Sequence, residues 1–312
     1  MIAPPICQSL PSDTADLDLW VLSGWICAEA AGSNLSNLSS TLNPLSGLLT
    51  DRGSRTLNTA VVQVQYLAGA RSSLSLTVSY GLLRFNNSGF IGSRTGTSSL
   101  EYTHKLNARD YVGISYVFGV FRFPGSGTSF NTHIIQANYG RHVTGRLGLE
   151  LGAGPQINVI KNPIEGSSTP LSWSAHTSLN YRARKGSLAA NYYRITTNGG
   201  GILPGASTDT VSATWSTDLI RRWSFSSGPG YSHNRSLPQT AAANTQSTYN
   251  TEYMNASLSR MFGRYVSGYL TYTFQTQSSN FTPCLVGGCQ VSLLRHVVGI
   301  GFDFHPRQIT LD

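Results

Sequence analysis

Residues 111–121 read Tyr-Val-Gly-Ile-Ser-Tyr-Val-Phe-Gly-Val-Phe, a run in which larger apolar residues alternate with smaller ones. If every second side chain points the same way, one face collects Val112, Ile114, Tyr116, Phe118 and Val120. The opposite face collects Gly113, Ser115 and Gly119, with Tyr111, Val117 and Phe121 as larger exceptions. A period of two residues predicts a β-strand that has one dry face and one wet face.

The same alternation returns along most of the chain. It is clearest in residues 74–82, 147–159, 266–274 and 298–304. In residues 147–159, for example, Leu149 and Leu151 share one face while Glu150 and Gly152 share the other. The repetition from Thr59 to Phe304 predicts an all-β fold.

Short turns and longer loops separate these strands in strict alternation. The predicted short turns lie at residues 69–71, 107–110, 144–145, 184–186, 220–222 and 263–264. The longer loops, rich in Gly, Ser, Asn and Pro, lie at residues 86–94, 124–129, 162–169, 198–207, 237–245 and 278–290. Short turns at one end and long loops at the other are typical of a transmembrane antiparallel up-and-down β-barrel, in which the turns are periplasmic and the loops extracellular.

The composition agrees with a lipid-facing barrel rather than a soluble sheet. Only 12% of the 312 residues are charged, about half the share that is usual in soluble proteins. Soluble β-sandwiches carry Lys and Glu on their wet faces, whereas this chain has Ser, Thr, Asn and Gln there. No stretch resembles a membrane-spanning helix, because the best candidate, residues 17–31, is short and contains Asp18 and Glu29.

The number of strands follows from an even-number rule. Counting from Thr59 gives about 13 strands, whereas bacterial single-chain barrels normally have an even number. We therefore predict a first strand within residues 16–27, followed by a long loop over 28–55, and about 14 strands in total, with 12 and 16 as neighbouring values. Residues 1–55 form an N-terminal segment, for which a plug or a tail is the alternative, and residues 56–312 form the barrel.

The hairpin repeat, the aromatic residues near strand ends and the final strand, residues 295–304, resemble bacterial outer-membrane β-barrel proteins of the porin-like kind. The likeness covers about residues 59–312. The aromatic residues that carry it are Tyr66, Tyr80, Tyr139, Trp173, Tyr181, Trp215, Trp223 and Tyr265. The chain departs from this family after Phe304, since His305 to Asp312 follow where such barrels usually end in Phe.

The resemblance implies a location and a set of partners. The expected location is the bacterial outer membrane, and the expected partners are its lipid, its lipopolysaccharide and the barrel-assembly machinery. A homo-oligomer is left open. Residues 1–5 lack the basic and apolar regions of a signal peptide, so we expect the export signal to have been trimmed or truncated.

The four cysteines fall into two groups. Cys284 and Cys289 bracket Leu-Val-Gly-Gly in a predicted outer loop, and we predict a disulfide between them, with two free thiols as the alternative. Their spacing does not fit the usual metal or redox motifs. The pairing of Cys7 and Cys27 stays open.

Six charged or titratable residues are predicted to line the lumen by the parity of their strands. They are Glu101, Glu150, His176, Arg182, Arg295 and Asp303. We interpret them as hydrated wall residues that pair across the lumen and not as a catalytic group. The sequence has neither a His-Glu-x-x-His pattern nor a Gly-x-Ser-x-Gly motif, so no enzyme activity, metal or cofactor is predicted.

The basic residues are the remaining feature. The chain has 22 Lys and Arg against 14 Asp and Glu, a formal net charge of +8, and about half of the basic residues lie near the short turns. There they can reach lipid phosphates at the inner interface, which explains their placement better than binding to nucleic acid. Arg295 in the lumen, with Arg84, Arg194 and Arg235 on the loop side, suggests a mild preference for anions.

The function predicted from these features is a porin-like passive channel or export conduit for small hydrophilic solutes or a polymer. The first alternative is a closed structural or adhesive barrel whose outer loops bind a partner. The second is a barrel hydrolase, which requires a serine or aspartate hydrogen-bonded to a histidine at the membrane rim.

Overall fold

The computed structural model describes most of the chain from Arg55 onward and two short stretches before it. The described residues are 19–21, 26–29, 55–85, 91–124, 126–163, 166–199, 201, 203–220, 222–237, 247–263, 266–280 and 292–304. Within them the regular structure is entirely β-strand. They contain no long apolar helix of the kind that could span a membrane.

The strands form one antiparallel sheet in which sequence neighbours are spatial neighbours. They are β1 (Leu19–Val21), β2 (Ile26–Glu29), β3 (Arg55–Leu67), β4 (Ser72–Phe85), β5 (Ser93–Lys105), β6 (Asp110–Arg122), β7 (Ser129–Thr144), β8 (Leu147–Asn162), β9 (Gly166–Ser168), β10 (Leu171–Arg182), β11 (Gly186–Thr197), β12 (Ala206–Ile220), β13 (Trp223–Ser236), β14 (Thr248–Met261), β15 (Val266–Ser279) and β16 (Ser292–Phe304). Each strand pairs with the next, except that β9 pairs back with β8 and β10 takes the following place in the sheet. The predicted up-and-down topology is confirmed.

The strand count also agrees with the prediction. From Arg55 onward the sheet has thirteen long strands, and the short strand β2 lies beside β3 in the fourteenth place. Its pairing runs from Ile26 opposite Tyr66 to Glu29 opposite Gln63. The described part of residues 16–27 differs from the single predicted strand, because β1 and the start of β2 are two short strands that pair with each other. The division into residues 1–55 and 56–312 stays a prediction.

Hairpin turns occupy the positions that the turn-forming residues indicate. All six predicted short turns fall between paired strands at one end of the sheet, which we call the turn end, and the long loops fall at the other, the loop end. In the turn before β6, the Asn107 side-chain oxygen accepts hydrogen bonds from the backbone N–H groups of Arg109 (2.7 Å) and Asp110 (2.8 Å). The Asn107 amide also donates to the Asp110 carboxylate at 2.8 Å, so the side chain replaces missing ladder bonds.

The two faces of the sheet are those that the alternation predicts. On β6, Ile114 is 55% exposed on the outer face, whereas its neighbour Ser115 is 7% exposed on the inner face. Leu151 on β8 and Ile300 on β16 are likewise exposed on the outside. An apolar outer face and a polar inner face are the reverse of a water-soluble core, and they suit a wall that contacts lipid.

Polar side chains hydrogen-bond to one another on the inner face. The Ser79 and Thr97 hydroxyls bond across β4 and β5, and the Gln136 amide on β7 donates to the Ser174 hydroxyl on β10 at 3.1 Å. The Thr208 hydroxyl donates to the Asn234 side-chain oxygen at 2.7 Å. These side-chain hydrogen bonds link strands across the inner face.

Candidate functional site

The candidate site is a cavity of about 300 Å³ inside the barrel, bounded by strands between β5 and β14. Its polar lining includes Thr97, Ser99, Glu101, Ser115, Thr132, Gln136, Asn138, His176, Ser178, Asn191, Tyr193, Ser212 and Tyr253. Hydroxyl and carboxamide groups both donate and accept hydrogen bonds. The lining can therefore replace part of the hydration shell of a small polar solute.

Three of the six residues predicted to line the lumen come together in this cavity and beside it. The imidazole Nε2 of His176 lies 3.6 Å from Oε1 of Glu150, and the Asn138 amide donates to Oε1 of Glu101 at 3.5 Å and to the Ser115 hydroxyl at 3.2 Å. Gly152 makes this possible, since a Cβ at that position would overlap the His176 ring. Two carboxylates on neighbouring parts of the inner wall make this part of the lumen acidic.

The other predicted lumen residues lie apart from this group. Arg182 is exposed at the turn end of β10, where it lines a second cavity of about 480 Å³. Arg295 is exposed on β16 opposite Gln275. The side chain of Asp303 lies outside the described residues, as do Cys284, Cys289 and Cys7. The roles predicted for all six lumen residues, and the disulfide, stay predictions.

The loop-side arginines face away from the lumen. Arg84, Arg194 and Arg235 have the parity of the exposed outward residues of their strands. The Arg194 guanidinium lies 4.4 Å above the Trp173 ring and 3.5 Å from the Asp209 carboxylate, and Arg235 lies 3.7 Å from the same carboxylate. The charges of these three arginines therefore lie on the outer face, and the mild preference for anions stays a prediction.

An apolar cluster lies at the loop end of the described wall. Phe121, Phe123, Phe130, Ile160 and Leu237 are all buried there. The rings of Phe121 and Phe130 stack with their centroids 4.3 Å apart, and Phe123 lies 5.9 Å from Phe130. The sequence carried one signal of this cluster, since Phe121 stood out as an aromatic residue on an otherwise small and polar face.

A short segment between β11 and β12 packs against this cluster. We call Asn198, Gly199, Gly201 and residues 203–205 the mouth segment. The Gly201 carbonyl accepts a hydrogen bond from the backbone N–H of Ile91 at 2.8 Å, and the Asn198 amide donates to the Ser93 hydroxyl at 3.0 Å. The segment thus joins two loops that are far apart in the sequence.

Glycine is required in the mouth segment for two physical reasons. Gly199, Gly201 and Gly205 have φ angles of +70°, +101° and +100°, a backbone region that other residues rarely adopt. A Cβ at Gly201 would overlap the Phe85 ring, and a Cβ at Gly205 would lie 2.5 Å from the Phe130 ring. The backbone of the segment therefore packs directly on the aromatic side chains of the barrel mouth.

The arrangement of histidines gives little support to a hydrolase. In the described residues Nε2 of His176 makes no hydrogen bond, and His296 bonds to the Tyr272 hydroxyl at 2.8 Å on the outer face. The Ser72 hydroxyl does bond to Nδ1 of His104 at 2.9 Å, but that pair has no ion pair with a carboxylate in the described part of the chain. The same residues hold no group of three or more His, Cys, Asp or Glu side chains suited to a metal ion.

Comparison with known proteins adds evidence for the fold. No protein-family model matches the chain, and no curated protein matches it in sequence. Among solved structures, the ferric citrate transporter FecA matches 90% of this chain and 52% of its own, with 11% identity and a TM-score of 0.50. The chain has the fold of a bacterial outer-membrane β-barrel.

Two other barrels are similar at lower TM-scores. The outer membrane channel DcaP of Acinetobacter baumannii has 11% identity and a TM-score of 0.46 over 80% of this chain and 84% of its own. A loop-deletion mutant of OmpT, an outer membrane protein of Vibrio cholerae, has 13% identity and a TM-score of 0.43 over 82% and 94%. With its apolar outer face, the barrel is located in the outer membrane and contacts the lipid there.

Proposed function

We propose that the protein is a passive outer-membrane channel for small hydrophilic solutes and that it acts without catalysis. The observation that carries the proposal is the set of hydroxyl and carboxamide side chains that line the cavity between β5 and β14, beside apolar residues such as Val117, Ile134 and Ile195. A solute that leaves water for this cavity exchanges its hydration for hydroxyl and carboxamide partners, which keeps the barrier to passage low. No bond in the solute has to break.

The lining favours cations over anions. Glu101 and Glu150 both lie on the inner face, and in the described residues the ion pair of Glu150 with His176 is the one that either carboxylate makes, while Arg182 lines the cavity at the turn end together with Glu150. The arginines of the outer face lie across the wall from the solute path. A passing cation is attracted to the carboxylates, and an anion is repelled.

In this proposal the mouth segment moves during conduction, because it packs with the aromatic cluster at the loop end of the described wall. Its attachment is weak enough to break reversibly. Hydrogen bonds from Ile91 to Gly201, from Asn198 to Ser93 and from Leu237 to Gly205 join it to the rest of the barrel, and the burial of Leu203 holds it in place. Movements of such loops occur on timescales of microseconds to milliseconds, so the channel would open in bursts.

A closed structural barrel is the second candidate, and the apolar mouth favours it. If the cluster of Phe121, Phe123 and Phe130 never separates, no hydrophilic solute can pass and the outer loops remain as the functional surface. A homo-oligomer, lipopolysaccharide and the barrel-assembly machinery are proposed as partners under either candidate function.

Swelling of proteoliposomes in sugars of increasing size separates the two candidates. We would compare the wild-type protein with Gly201→Val, which places a branched side chain against Phe85 and prevents the closed position of the mouth segment. Gly145→Val is the matched control, since a Cβ at that turn meets nothing within 4 Å. Faster swelling of the Gly201 variant, with a size limit, supports a channel. A folded Gly201 variant that stays impermeable to every sugar supports the closed barrel.

A further inference from the structure

Four basic side chains lie on the outer face at the loop end of β4, β5, β6 and β8. They are Arg84, Arg94, Arg122 and Lys161, and all four are exposed. We call them the basic row. Their chain neighbours Ser93, Phe121 and Ile160 are buried on the inner face, and adjacent residues of a strand point to opposite faces. The basic row therefore points outward, toward the membrane.

The strand register places three of these residues in one line around the barrel. Arg94 on β5 pairs with Arg122 on β6, Arg122 pairs with Ser129 on β7, and Ser129 pairs with Lys161 on β8. Arg84 lies one outward position beyond Leu82, which is the partner of Arg94 on β4. Sequence spacing alone does not reveal this line, since it depends on how four hairpins are aligned.

In the part of the chain that the structure describes, no carboxylate balances the charges of the basic row. Arg94 and Arg122 stand directly opposite each other, and like charges in that position repel. Among the described residues, none of the four cations forms an ion pair with a carboxylate. The other arginines of the outer face at this end differ, because Arg194 and Arg235 share Asp209. The basic row can therefore accept an anion from outside the chain.

We propose that the basic row binds a lipid headgroup of the outer leaflet that carries two phosphates. Arg94 and Arg122 are adjacent and can grip one phosphate with two guanidinium groups. Lys161 lies two strands beyond Arg122, about 10 Å away at the usual strand spacing, and can hold the second phosphate. The outward residues just below the row, Tyr80 and Val120, would contact the acyl chains of the same lipid.

This site is distinct from the basic residues of the turn end, which lie at the opposite interface of the membrane. It is also independent of whether the lumen conducts, because the basic row and the cavity are on opposite faces of the sheet. A lipid bound there removes the repulsion between Arg94 and Arg122, so it should stabilise the hairpin of β5 and β6.

The test measures lipid binding to the purified, detergent-solubilised barrel by native mass spectrometry. The lipids are diphosphoryl lipid A, its dephosphorylated form and phosphatidylglycerol, with inorganic phosphate as the competitor. The variant is Arg94→Gln with Arg122→Gln, and the matched control is Arg71→Gln with Arg109→Gln, two exposed residues of the turn end. Heat-modifiable gel mobility verifies that each barrel is folded.

We expect the wild-type barrel to retain diphosphoryl lipid A and the Arg94/Arg122 variant to bind it about tenfold or more weakly. The turn-end control should bind as the wild type does, and the dephosphorylated lipid should bind equally weakly to all three. Three results would each overturn the proposal: equal affinity of variant and wild type, equal retention of phosphatidylglycerol, or displacement by inorganic phosphate at a concentration similar to that of the lipid.

Discussion

Replacement of Leu203 by Ala should open the mouth of the barrel. Leu203 is 2% exposed and packs with Ala206 and Tyr249, so its side chain is buried only while the mouth segment is in place. Truncation of a buried leucine to alanine costs about 2 to 5 kcal/mol. If the side chain is exposed in the open state, the substitution destabilises the closed state alone and leaves the free energy of the open state unchanged.

The expected change in the opening equilibrium follows directly. A difference of about 1.4 kcal/mol changes an equilibrium constant tenfold, so even the lower value of about 2 kcal/mol corresponds to roughly a 30-fold shift toward the open state. A channel that the wild-type segment keeps closed nearly all the time would then spend an easily measured fraction of the recording open.

Single-channel recording in planar bilayers measures this fraction. Leu171→Ala is the matched control, because it is also a change from leucine to alanine at the same end of the barrel. Leu171 is 72% exposed on the outer face, so its truncation removes no buried contact. The Leu203 variant should open far more often than the wild type and with the same unitary conductance, whereas the Leu171 variant should behave as the wild type. Two results would contradict this prediction: a wild-type channel that is already open throughout, or two variants that both have the open probability of the wild type.

Three further predictions test the faces, the lumen and the turns. Ile114→Arg places a charge on the lipid face and should lower the free energy of unfolding from vesicles by about 2 to 4 kcal/mol, measured by urea titration. Glu150→Gln removes a lumenal carboxylate, whose attraction for a cation about 7 Å away in water is roughly 0.6 kcal/mol. The cation-to-anion permeability ratio, determined from reversal potentials, should therefore fall about threefold. Asn107→Ala removes the side-chain hydrogen bonds of the turn before β6 and should cost about 0.5 to 1.5 kcal/mol in the same urea titration.

Each of these predictions has a contradicting outcome. Wild-type stability of Ile114→Arg would mean that this face does not meet hydrocarbon. An unchanged permeability ratio for Glu150→Gln in an open channel would mean that ions do not pass the cavity. For the turn, Asn107→Asp keeps the acceptor oxygen and should restore most of the lost stability, so an equal loss in both variants would show that the acceptor is unimportant.

Residue parity explains why the two faces of each strand can be predicted from the sequence. The outward position of Ile114 and the inward position of Ser115 follow from the alternation itself, since a strand turns adjacent side chains to opposite faces. The same rule places Arg84 on the outer face, because Arg84 is two residues after the outward Leu82. The sequence therefore already indicated that Arg84 does not face the lumen. Glu101, Glu150 and His176 were placed on the inner face by this rule as well.

The sequence alone determined which side chains face lipid, which face the interior and where the hairpins turn. These properties depend on residues that are close in the chain, so a local pattern is enough to predict them. The tertiary structure decided the rest: the contact of Phe121 with Phe130, the mouth segment held by Ile91 and Ser93, and the alignment of Arg94, Arg122 and Lys161. Each of these depends on the register between strands and on loops that meet across the barrel, and a shift of register by two residues would preserve every local pattern while separating these groups.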